Sequence, residues 1–223
     1  MTNNSNASLS PVRSISRKES VVQEIKRGIA VGAIKLGQKL TELELADSLG
    51  VSRPTIREAI QQLTREGILI QVPYKGIEVA DVDAKDIMDL AILREALDLM
   101  TVQLIYADPT GDGLKQIEQA WEEYEELENH PDALIRSQAH TDFHRAIWSA
   151  TNSQVVQNLL PVIEGLMTIA LVRDRLVRQD PVRDHSIHEK YVAAILSGNF
   201  EKAKKEIHNT TVASAKELIA LMK

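Results

Sequence analysis

The sequence contains no cysteine, which removes disulfides, thiolate-held zinc and thiol nucleophiles at a stroke and fits a reducing compartment. No apolar run reads as long enough to span a membrane, and the start MTNNSNASLSPVRS lacks the apolar stretch of a secretory signal. The expectation is therefore a cytoplasmic protein with no membrane partner, whose residues 1–16 form a disordered polar tail. Internal repeats are absent, as is any heptad run long enough for a coiled coil. What remains is 223 residues, 43% hydrophobic and 26% charged, enough for a core and more comfortable as two modest domains than as one.

The net charge of -6 conceals an asymmetry. Residues 1–75 carry 11 basic and 7 acidic side chains, whereas residues 76–223 carry 15 and 25. A basic front joined to an acidic back points to a polyanion met by the front alone, although EEYEELEN (Glu122–Asn129) also reads as an ordinary solvated helix face.

In the front half, Val22, Ile25 and Ile29 followed by Gly32 have the spacing of a helix that packs one face and stops. Thr41-Glu42-Leu43-Glu44 matches a capping box ahead of Leu45 and Leu49, and Gly50 ends that short helix. Ser52 caps a third helix with Pro54 in its first turn, and Ile56, Ala59, Ile60 and Leu63 form its buried stripe. Arg57 and Gln61 lie off the stripe. Two helices across a tight Gly-Val turn, the second basic at its start, make a helix-turn-helix that would set a recognition helix in a major groove. Arg53, Thr55 and Arg57 then stand where that helix meets DNA, since a guanidinium fork fits guanine O6 and N7 or a phosphate, and threonine fits a base edge or a thymine methyl. After Gly67, ILIQV, PYKG and IEVA read as two β-branched strands around a turn, the wing of a winged helix, with Lys75 and Gly76 at its tip near the backbone phosphates. The competing reading is a plain three-helix packing unit with solvated arginines.

From Ala84 onward the pattern is helical, with helices expected near 84–106, 112–128, 132–150, 153–177, 182–197 and 200–221, punctuated by Pro109, Gly111, Pro131, Pro161, Pro181 and Gly198-Asn199. An antiparallel helical bundle is the economical arrangement. All six histidines fall in this half. HTDFHRAIWSA puts His140 and His144 one turn apart on one helix face, and HSIHEKYVAAILSGN puts His188 on the side of Val192 and Ile195, whereas His185 and His208 read as exposed. Imidazoles gathered from two helices suit zinc, nickel or iron; equally, each can be a half-buried side chain with one hydrogen bond.

With these motifs in view, residues from about 18 to 80, through KLGQKLTELELADSLGVSRPTIREAIQQLTREGILI and YKGIEV, resemble the DNA-binding domain of the GntR family of bacterial regulators. Leu36-Gly37 stands where the family often has Pro-Gly, Pro54-Thr55 where it often has Thr-Pro, and Leu43 where some members carry an arginine. The second half, from LREALD through DFHRAI to HEKYVAAILSGNFEKAKKEI, resembles the FCD effector domain of the FadR subfamily. That resemblance implies a divalent metal site whose Asp position is filled here by His140, whose next two ligands are His144 and His188, and whose last histidine is replaced by Thr210. The implied site is three histidines with open positions for water or a ligand, zinc or nickel being the metals that fit, with Asp98 as a possible supplement. Three neutral ligands leave a divalent charge uncompensated and favour a small carboxylate effector, for which Arg94 and Arg173 would be anchors or else structural ion pairs.

The expected fold is thus mainly α: a winged helix-turn-helix over 17–80 and an all-α antiparallel bundle over 84–223. The expected function is a homodimeric regulator of a double-stranded DNA operator, its affinity set by an organic-acid effector. Two alternatives stay open, the same regulator with a metal-free pocket and a metal-dependent hydrolase. No motif supplies the positioned base that such a hydrolase would need.

Overall fold

A computed structural model of the chain describes residues 16–72, 76–108, 110–179 and 181–222. The expected tail, save Ser16, and the wing-tip residue Lys75 lie outside them. Helix α1 (Arg17–Ala30) begins where the Ser16 hydroxyl accepts the Glu19 backbone N–H, and it buries Val21, Val22, Ile25 and Ile29. Thr41 caps α2 (Glu42–Leu49), which ends at Gly50 in the left-handed conformation, φ 63°, that side chains resist. Ser52 caps α3 (Arg53–Arg65), whose buried residues are Ile56, Ala59, Ile60 and Leu63.

The wing strands are β2 (Leu69–Val72) and β3 (Gly76–Val79). A further strand, β1 (Lys39–Leu40), was not expected; it pairs antiparallel with β3, Lys39 opposite Glu78 and Leu40 opposite Ile77, in the order β1-β3-β2. Two residues hold no alternation to read, so this pairing belongs to tertiary structure rather than to local pattern. Its effect is to tie the wing to the segment leading into α2.

The remaining chain is helical: α4 (Ala84–Ala107), α5 (Asp112–Leu127), α6 (Ala133–Ser149), α7 (Gln154–Arg178), α8 (Pro181–Leu196), α9 (Phe200–His208) and α10 (Ser214–Leu221), the last two joined by a π-helical stretch over Asn209–Ala213. Asp83 and Asp86 form a reciprocal capping box at the start of α4. The expectation that no apolar run reaches membrane-spanning length needs correction, because α7 is long and apolar enough, with a mean hydropathy of 1.8 over an 18-residue stretch. This helix lies within the bundle: Val156, Leu160, Ile163, Met167, Ile169 and Val172 are buried, and Glu164 pairs with Arg145 of α6 at 2.5 Å.

One hydrophobic cluster holds the winged-helix core and continues into Ile87 and Ala91 of α4, Ile169 and Val172 of α7, and Ala215 and Leu218 of α10; a second gathers around Phe143, Trp148, Tyr191 and Ile195. The front unit therefore shares its core with the bundle. Ion pairs Arg27–Asp132 and Arg173–Asp81 reinforce the seam. Gly165 completes it, because a Cβ there would collide with the backbone carbonyl of Glu66.

Candidate DNA-contacting face and histidine pocket

Arg53, Arg57 and Gln61 lie one turn apart along α3 and all three are exposed, as is Arg65 one turn further, a residue that the sequence reading did not single out. Glu42 of α2 accepts two hydrogen bonds from Arg57, and Arg53 approaches the same carboxylate at 3.7 Å. Those guanidinium hydrogen bonds hold the Glu42 carboxyl below its ordinary range. Thr55 is half-buried, its hydroxyl 2.8 Å from that of Ser52 at the helix cap. Gly76 is exposed, with φ 94°, where β3 leaves the wing turn. The structure thus lines up Arg53, Arg57, Gln61 and Arg65 on one face, with Thr55 at the N-terminal turn.

On the other unit, α6 supplies His140 and His144, and α8 supplies His188; their nearest ring nitrogens all lie within 4.8 Å of one another. His144 and His188 are buried, with Nε2 atoms 3.3 Å apart. Two nitrogens each about 2.0–2.1 Å from one tetrahedral zinc are separated by roughly the same 3.3 Å, so the pair fits one edge of such a site. Burial above all pushes His140 and His144 well below the ordinary imidazole value; the charges of Arg94 and the neighbouring histidines add to this, and for His140 that of Arg175. Both imidazoles are consequently neutral near pH 7, the protonation state that coordinates metal.

Arg94 of α4 approaches the same cluster, its Nη2 3.2 Å from His144 Nε2. Its Nε is buried without a hydrogen-bond acceptor among the described residues. A cavity of about 120 Å3 opens beside these groups, bordered by Arg94, His140, His188, Thr210, Thr211 and Ser214 among others.

Asp98 is not a fourth member of the cluster. It is completely buried, accepts a hydrogen bond from Trp148 Nε1 at 2.6 Å, and has its carboxyl pushed up chiefly by burial. Trp148 in turn stacks on His144, with ring centroids 5.8 Å apart and planes at 25°, so Asp98 holds the ring behind His144, while its charge also acts on Arg94. Arg173 does not border the cavity either; it faces the seam and pairs with Asp81, because this turn of α7 looks toward the winged helix. The next residues, Asp174 and Arg175, were missed by the sequence reading and face the pocket side, as does Arg183 of α8. Thr210 borders the cavity, while His208 is exposed and hydrogen-bonds Glu95 at 2.8 Å, so two positions along the helix do place them on opposite sides.

Comparison with known proteins gives concordant findings. Residues 17–79 match the family described as bacterial regulatory proteins, gntR family, and residues 89–211 match the FCD domain. The HTH-type transcriptional regulator YdhC of Bacillus subtilis is 28% identical over 145 residues, spanning 65% of each chain. A probable D-xylose utilization operon transcriptional repressor of Paenarthrobacter nicotinovorans is 25% identical over 83% of this chain and 81% of its own. Among solved structures, Escherichia coli McbR/YncC superposes with a TM-score of 0.70 at 21% identity, covering 94% of this chain and 100% of that one. A GntR-type regulator from Rhodococcus sp. RHA1 gives 0.70 at 23% identity over 92% and 98%; at these identities the likeness establishes the fold.

Proposed function

Since the chain belongs to the gntR family of bacterial regulatory proteins and carries an FCD domain, which makes it a transcription regulator and not an enzyme, we propose that a small carboxylate bound at a histidine-held divalent metal sets its affinity for a pseudo-palindromic operator. The observation that carries this reading is the pairing of three clustered imidazoles with the buried, acceptor-free Nε of Arg94. His140, His144 and His188 would hold zinc or nickel. The metal would supply a positive centre with open positions for a carboxylate, and Arg94 would turn its fork onto that carboxylate.

On the DNA side, Arg53, Thr55, Arg57 and Gln61 would read the major groove, with Lys75 and Gly76 of the wing on the phosphates. A homodimer would place two recognition helices about one helical turn apart, and the target would locate the protein in the bacterial cytoplasm. Coupling follows from linkage: an effector that favours one placement of the front units must change DNA affinity by the same free energy with which DNA changes its own.

The test is elemental analysis of untagged protein before and after chelation, beside His144→Ala. Near-stoichiometric metal that is lost in the variant is the expected result. Protein that takes up no metal after reloading would instead favour the metal-free pocket, for which Thr210 in place of a fourth histidine is the motivating observation.

A further inference from the structure

Several other polar groups of the cavity lining are engaged with neighbours. Asp174 pairs with Arg178 at 2.6 Å, Arg183 with Glu217 at 2.6 Å and with the Ser214 hydroxyl at 3.1 Å. The hydroxyl protons of Thr210 and Thr211 are donated to the carbonyls of Glu206 and Ile207, at 2.8 and 2.7 Å. Arg94 is the lining cation whose Nε lacks an acceptor among the described residues, and it lies beside the histidines. Much of the remaining lining is apolar, built by Ile87, Leu90 and Ala91 of α4, Leu171 of α7, and Ala215 and Leu218 of α10. Four of these, Ile87, Ala91, Ala215 and Leu218, belong to the cluster that encloses the winged-helix core.

Resting on the carboxylate-binding role proposed above, we infer that the effector is a monocarboxylic acid with a compact apolar body, its carboxylate at Arg94 and the histidines and its body against Ile87, Leu90 and Leu218. A dry apolar cavity of about 150 Å3 accepts benzene, so the present one suits a body of roughly four to six carbons. A second carboxylate or a row of hydroxyls held against the apolar residues would lose water there without compensation, which disfavours dicarboxylates and sugar acids. The same contact explains how binding reaches DNA: the body of the ligand touches side chains that hold the front unit, so filling the cavity alters the packing under the winged helix.

The experiment is calorimetric titration of the metal-loaded, full-length protein with acetate, propanoate, butanoate, pentanoate, hexanoate and octanoate, and with succinate and gluconate as polar comparators. Affinity should rise about fourfold per methylene from acetate to pentanoate or hexanoate and then fall. Succinate and gluconate should bind more weakly than butanoate. A flat series, or a comparator that binds better than butanoate, overturns the inference while leaving a carboxylate site intact. Failure of every acid to bind overturns the underlying reading as well. Leu90→Gln, a half-buried wall position, should flatten the chain-length series; a series that stays steep places the apolar body elsewhere and overturns the assignment.

Discussion

The guanidinium of Arg57 is clasped by the carboxylate of Glu42 through two hydrogen bonds, 3.0 Å from Nε and 2.8 Å from Nη2. The pair crosses the helix-turn-helix and presents the arginine fork already engaged with a planar pair of oxygens. A phosphate, or the O6 and N7 edge of guanine, offers the same pattern, so DNA bound at this face would compete with Glu42 for one donor set. Glu42→Gln should therefore strengthen binding to any duplex at low salt by about two- to fivefold, the scale of an exposed ion pair. Arg57→Ala should weaken operator binding roughly ten- to hundredfold with an unchanged far-UV spectrum. Fluorescence anisotropy with operator and scrambled duplexes reads both. Weaker binding by Glu42→Gln would show that the glutamate aims the arginine rather than competing for it.

The contrast between this face and the pocket shows which features a sequence carries. The stripe on α3, its serine cap and the glycine that ends α2 are local, set by residues within a turn of one another, and the sequence announces each of them. Strand β1 and the π-helical stretch at Asn209–Ala213 depend on what packs against them, and no periodicity marks either. His140 and His144 are legible as a pair because one helix holds both. Their meeting with His188 depends on how α6 and α8 pack, which spacing does not encode and the family resemblance did imply. Arg94 and Arg173 read alike in the sequence; Arg94 on α4 borders the cavity, whereas Arg173 lies on the side of α7 that faces the winged helix and closes the seam with Asp81.

Gly165 gives that seam its most direct test. The Glu66 carbonyl reaches the α7 backbone where a side chain would begin, and a backbone atom cannot swing aside as a flexible side chain would. Gly165→Ala should destabilise the protein by about 1–3 kcal/mol or more despite the better helix propensity of alanine. Urea unfolding followed by tryptophan fluorescence measures it. A midpoint equal to or above that of the parent would mean that the seam relaxes without loss.

Acid should destabilise the metal-free protein through its buried imidazoles. Burial and neighbouring positive charge depress His140 and His144 in the folded state, whereas in the unfolded chain each takes up a proton near pH 6.5. The unfolded state then binds more protons, so stability falls as pH drops below about 6.5, by up to about 1.4 kcal/mol per pH unit for each histidine until the folded imidazoles also titrate. Asp98 acts in the opposite sense: its raised folded value makes acidification favourable between the ordinary carboxyl range and that value. Thermal melts of chelated protein from pH 7.5 to 5.5 should therefore show falling midpoints, with a shallower slope in His140→Ala. A slope unaffected by that variant would assign the acid sensitivity to other groups.

The outer face of α7 bears on assembly. Val155, Leu159 and Val162 follow one another at intervals of four and three residues and remain 72%, 50% and 47% exposed, on the same helix whose opposite side is buried in the bundle. A helix apolar on both sides has one face for its own core and another whose burial requires a second surface. A second copy meeting the first through this stripe would make an isologous interface, and the two front units would then be related by the two-fold symmetry that a pseudo-palindrome demands. Leu159→Glu places a charge in the middle of that stripe. Sedimentation should show a shift from dimer to monomer, with a melting temperature near that of the parent because the position is exposed in the single chain. Operator affinity should then fall to that of an isolated half-site, since the second recognition helix no longer binds at the high effective concentration conferred by the first. If the variant sediments as a dimer, the contact lies on another face, and the exposed Ile92, Leu93 and Met100 of α4 become the place to put the next charge.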